Sequence, residues 1–130
     1  MRVFLKVLML ASMIALAGAN VCAEDMIVNI KQPFHAGGKS YRAGRYKIFA
    51  DPDNDQSVNL INVDTKTGDE IRFSARLSAR EGDWGEVVFD KVGDEIYLSE
   101  VYLVGLDGYL FHGAPGKHKH LVVKEDILAY

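Results

Sequence analysis

The sequence predicts an all-β protein: a small antiparallel barrel of about eight strands, with a two-sheet β-sandwich as the alternative, after an N-terminal signal helix. Three observations carry this expectation. Apolar and polar residues alternate with a period of two from Met26 onward, which is the signature of strands. Clusters of Gly, Pro, Asn and Asp interrupt the alternation roughly every ten residues. Helical periodicity of useful length occurs only at the N-terminus. Closure is favoured because strands this apolar leave edges prone to pairing with other chains.

The first segment has the three-part layout of a secretory signal peptide. Arg2 and Lys6 are basic, Val7 to Leu16 is apolar or small, and Ala17 to Ala23 is more polar. The apolar run is shorter than the roughly 20 residues a membrane span needs. Small residues are required at −3 and −1 of the cut, and Val21 and Ala23 place it between Ala23 and Glu24. A cut before Asn20 is the second option. Val21 precedes Cys22 where a lipoprotein needs a small residue, so lipidation is disfavoured. The expected organisation is a signal peptide over 1–23 and one domain over 24–130. Cys22 is the only cysteine and leaves with the signal, so the core alone stabilises the domain.

Along the domain, Met26, Val28, Ile30 and Phe34 alternate with polar residues as a first strand, and Pro33 marks its end. Gly37-Gly38 is a hairpin turn. Arg45 to Ala50 and Val58 to Val63 are strands around the Asp51–Asp55 turn, the second poor in charge and therefore central. A turn over Asp64–Asp69 precedes Ile71, Phe73, Ala75 and Leu77, the clearest half-buried alternation. Ser78 to Asp83 is a loop or a single helical turn. Val87 to Phe89 is a strand. Ile96 to Val104 is a longer one, with a bulge near Ser99-Glu100 where the alternation slips. Tyr109 to His112 and Lys117 to Val123 form a final hairpin around Gly113–Gly116.

Three stretches resemble a family of small exported bacterial all-β proteins. Pro33 to Tyr46 carries a Gly-Gly turn and an Ala-Gly-x-Tyr strand. Val87 to Tyr102 carries Val-Phe-Asp-Lys-x-Gly-Asp-x-x-x-Leu-Ser-Glu-Val, and Gly116 to His120 reads GKHKH. Arg42 stands where the family usually has proline, and Tyr102 where tryptophan is common. The family is functionally uncharacterised, so the resemblance implies export and an all-β fold but no activity.

Composition narrows the partners. The net charge is −3 and becomes more negative without Arg2 and Lys6, which argues against nucleic acid. No second apolar run suits stable membrane insertion of the domain. No G-x-S-x-G elbow occurs, and no phosphate-cradling glycine loop precedes a helix. Asp51, Asp53 and Asp55 open like a calcium loop, but Gln56 and Asn62 stand where glycine and glutamate belong. Asp90, Asp94 and Glu95 flank a turn and read as solubilising acids. Trp84 reads as a plug at one end of a barrel.

His112, His118 and His120 form the one cluster with site chemistry. In the expected last hairpin His112 faces His118, with His120 two residues on along the same face. Neutral imidazoles so arranged bind zinc, copper or nickel. The competing reading is a solvated face: Tyr109, Phe111, Leu121 and Val123 point to the core, and Lys117 and Lys119 disfavour a cation. That reading is preferred, with no cofactor. Functionally, a non-catalytic binding domain for a small apolar ligand ranks first. An envelope accessory protein using a sheet edge comes second, a metal-handling protein third and an enzyme last.

Overall fold

The computed structural model describes residues 25–126. The expected signal peptide, the Ala23–Glu24 cut and Cys22 lie outside the described residues. So does the tail after Asp126.

The chain forms β1 (Asp25–Ile30), β2 (Phe34–Ala36), β3 (Lys39–Tyr41), β4 (Gly44–Asp51), β5 (Asn54–Asn62), β6 (Gly68–Arg72), β7 (Ala75–Leu77), β8 (Glu86–Val92), β9 (Glu95–Tyr102), β10 (Gly108–Leu110) and β11 (Lys119–Lys124). The described residues are thus all-β, with eleven strands rather than about eight. Several expected strands are broken by turns into shorter pieces. The outcome lies between the two expected architectures: the strands divide between two sheets, and one curls into a half-barrel. The first sheet has the order β1-β4-β5-β6. The second runs β11-β8-β9-β10-β7, with the β2–β3 hairpin joined through one parallel bridge between His35 and Tyr97.

The local turn chemistry behaves as expected. Gly37 and Gly38 take φ of +58° and +79°, the left-handed conformation that a two-residue hairpin needs at both positions. Asp51 caps its own turn by accepting a hydrogen bond from Asp53 N at 2.9 Å. The bulge falls at Ser99, which is skipped between the pairs Phe89–Leu98 and Val88–Glu100.

Three long-range expectations fail. The first strand stops at Ile30, and Phe34 opens β2 in the other sheet. The Ile71–Leu77 alternation is not one strand but two, in different sheets. Phe73 N donates to Gln56 O at 3.1 Å, and Ser74 N donates to Leu110 O at 2.7 Å. The chain therefore changes sheets at this corner, which sequence periodicity cannot register. Nor do residues 109–112 and 117–123 form a hairpin. β10 pairs with β9 and β7, whereas β11 pairs with β8. The tight β8–β9 hairpin occupies the centre, so its neighbours add to opposite sides. The faces nevertheless fall as expected. Tyr109 and Phe111 are buried, Leu121 and Val123 are half-buried against the core, and His112, His118 and His120 are exposed.

One core fills the space between the sheets. Val28, Ile30, Ile48 and Leu60 come from the first sheet, and Val87, Phe89, Ile96, Leu98 and Val101 from the second. Phe34 sits among aromatic rings, edge-on to Tyr46 at 5.1 Å and to Phe89 at 5.6 Å, and stacked on Tyr41 at 5.2 Å. Tyr41 also donates a 2.9 Å hydrogen bond to Asp69 Oδ2, fastening β3 to β6. Burial and this bond push the Tyr41 phenol well above its ordinary pKa, and the same bond holds Asp69 below the usual carboxylate value. No helix among the described residues is long and apolar enough to cross a membrane. Trp84 corrects its expectation: it lies in the loop before β8 with 55% of its surface exposed. The core is filled without it.

Candidate metal centre

Asp90 is the residue that the sequence undervalued. It lies in β8 between Phe89, which is fully buried, and Lys91, which is exposed. Strand alternation sends Val87 and Phe89 into the core and turns Val88 and Asp90 to the other face. That outer face is not open to solvent at Asp90. The segment after β10 folds over it: Phe111 N donates to Ser99 O at 2.8 Å, and Ala114 N donates to Asp90 Oδ2 at 3.0 Å. Gly113 makes this crossing possible. Its φ is +64°, and a Cβ there would collide with the Asp90 carboxylate. The Asp90 side chain is left with 5% of its surface exposed. Asp90 is therefore not the solubilising turn acid that its place beside a turn suggests.

β11 brings the histidines to this carboxylate. His120 stands directly across the ladder from Asp90, and His118, two residues earlier, continues along the same face. Lys119 alternates to the other face, opposite Lys91, so the expected interference from this lysine is weakened. His118 Nε2 lies 3.3 Å from Asp90 Oδ1, and His120 Nδ1 lies 3.5 Å from the same atom. One donor atom from each of the three residues lies within 4.8 Å of the others. The imidazole rings stand at 88° to one another with centroids 5.1 Å apart. His118 is about one-third exposed and His120 more than half, so the site is buried at the carboxylate and open at its rim.

The hydrogen bonding leaves a gap. Asp90 Oδ1 is buried and has no hydrogen-bond partner among the described residues. Neither histidine approaches it with hydrogen-bond geometry, although both are close. His118 Nδ1 lies 3.0 Å from Gly116 O. A carbonyl can only accept, so Nδ1 carries the proton of this bond. In the neutral ring Nε2 then presents a lone pair to a carboxylate oxygen that also has only lone pairs. A cation between them, a metal ion or a second ring proton, completes the arrangement. Leaving a carboxylate oxygen buried without any partner costs several kcal/mol, on the order of an unpaired buried charge.

Two of the three spacings match a metal site, and the third, between the imidazoles, is within 4.8 Å. Bonds of about 2.0–2.2 Å from zinc to nitrogen or oxygen place tetrahedral ligand atoms about 3.3–3.6 Å apart. The two separations from Asp90 Oδ1 fall in that range. Outer contacts that orient metal ligands are also present. Gly116 O fixes the His118 tautomer, and Ala114 N fixes the carboxylate.

The structure thus brings together two of the three expected histidines and adds Asp90. His112 is outside this group. It lines a separate cleft with His35, Arg72 and Tyr97, because β10 and β11 are not hairpin partners. One signal in the sequence pointed to Asp90. The unbroken apolar run Val87 to Phe89 marks a strand covered on both faces, so the next outward residue is covered too. Comparison with known protein families, with curated proteins and with solved structures gives no match.

Proposed function

We propose that the protein is an exported, non-catalytic metal-binding domain that holds zinc, copper or nickel through Asp90, His118 and His120. The observation that carries this reading is the buried Asp90 Oδ1, which has no hydrogen-bond partner among the described residues and lies 3.3 and 3.5 Å from two imidazole nitrogens. Two imidazoles and one carboxylate suit borderline transition metals better than calcium or magnesium, which prefer all-oxygen sets. Three protein ligands leave a coordination position open towards the exposed His120 side, the pattern of an ion that can be delivered or exchanged. Export rests on the signal-peptide layout of residues 1–23 and on the family resemblance.

Isothermal titration of zinc, copper(II) or nickel chloride into the purified protein tests the proposal. One equivalent of at least one ion should bind to the parent and to His112→Ala. Binding should be lost or weakened by at least about tenfold in Asp90→Asn and His118→Ala. Failure of all three ions to bind would overturn it, as would binding indifferent to His118→Ala.

A further inference from the structure

The cleft of about 330 Å³ between the β2–β3 turn and residues 111–113 is a second site with a chemistry of its own. Its walls include His35, Arg72, Tyr97, Leu98, Phe111 and His112, and among the described residues no carboxylate lines it. Its size falls at the lower end of small-molecule sites. Arg72 carries a guanidinium, which among the described residues is held by the neutral Gln56 Oε1, at 3.0 Å. No ion pair forms on Arg72, and His112 has no hydrogen bond or ion pair among the described residues. The aromatic side is pre-organised. His35 stacks on Tyr97 with centroids 4.6 Å apart and an interplanar angle of 20°. Ser40 Oγ, 3.1 Å from His35 Nδ1, and Glu95, 3.4 Å from Nε2, hold that ring from its edges. Tyr97 OH donates to the same Glu95 carboxylate at 3.0 Å, so both rings are anchored by one acid outside the cleft.

A guanidinium with no ion pair and an imidazole with no hydrogen bond among the described residues, beside a wall of Tyr97, Leu98 and Phe111, select one kind of guest. We infer that the cleft binds a small organic carboxylate with an apolar or aromatic body. The carboxylate engages Arg72 and His112, and the body packs on the apolar wall. Arginine pairs with a carboxylate through two parallel hydrogen bonds, which fixes orientation as well as affinity. The inference does not depend on the metal centre.

The test is a titration of the purified protein with benzoate, benzamide and inorganic phosphate, with a chelator present to keep the metal centre empty. The readout is the NMR signals of the His35, His112 and Tyr97 rings. Benzoate should shift all three signals saturably, while benzamide of the same shape should bind at least about tenfold more weakly, since it lacks the charge-assisted bonds. Arg72→Gln should weaken benzoate by a similar factor. His112→Gln, at an exposed position that the fold does not need, should weaken it less but measurably. Equal binding of benzoate and benzamide would overturn the inference, and so would benzoate binding unchanged in both variants. Phosphate binding as tightly as benzoate would also overturn it, by reducing the cleft to a simple anion site.

Discussion

The two faces of β8 carry opposite lessons. On the inner face Val87 and Phe89 are fully buried among apolar side chains from both sheets, and their role is packing. On the outer face Val88 and Asp90 are almost as buried, yet Asp90 is a carboxylate with one unsatisfied oxygen. Equal burial therefore means different things a single residue apart. The inner face maximises apolar contact. The outer face keeps a charge out of water under a strap made possible by Gly113, an arrangement that stability alone does not favour. This difference is what the proposed metal centre explains.

Substitutions can break or sharpen that contrast. The largest effect should come from Phe89→Ala, which empties the packed centre against Phe34. A loss of about 3–5 kcal/mol is expected in denaturant unfolding, with no change in the face exposed to metal. Next, Gly113→Ala should cost about 1–3 kcal/mol, because it strains a positive φ and drives a methyl group into the carboxylate. A neutral result would show that the strap does not press on Asp90. Smaller still is Asp90→Asn. The amide oxygen can keep the bond from Ala114 N, and the buried charge disappears. Metal-free stability should then stay within about 1 kcal/mol of the parent or rise. If Asp90 is instead half of a structural ion pair with a charged histidine, this change should cost about 3–5 kcal/mol. The smallest effect belongs to His118→Ala, under about 0.5 kcal/mol without metal, as expected of a ring at the open rim of the site. Saturating metal should stabilise the parent in thermal unfolding by more than it stabilises either site variant.

How much of this was legible beforehand follows from what strand periodicity encodes. The period of two assigns faces, and it assigned them correctly at Tyr109 and Phe111 and at the three C-terminal histidines. It does not assign partners. The sheet change at Phe73–Ser74 and the crossing of residues 111–118 over the β8–β9 hairpin are set by contacts between distant segments, so the Ile71–Leu77 strand and the final hairpin were misjudged. The candidate site inherited the same error. His118 and His120 share a strand and a face, which two-residue spacing reveals. His112 was joined to them only through the supposed hairpin. Asp90 could enter only through the β8–β11 ladder, which spans about 30 residues of chain. The exposed Trp84 failed for a related reason: nothing local to a loop says whether a core is already full.

The most direct test of the account is a crystal structure of the protein grown with one equivalent of zinc, with diffraction collected on both sides of the zinc absorption edge. One strong anomalous peak is expected about 2.0–2.2 Å from Asp90 Oδ1, His118 Nε2 and a ring nitrogen of His120, with Gly116 O still bonded to His118 Nδ1. A peak at His112 or His35 instead, or a His118–Asp90 pair that stays intact with no ion between them, would contradict it.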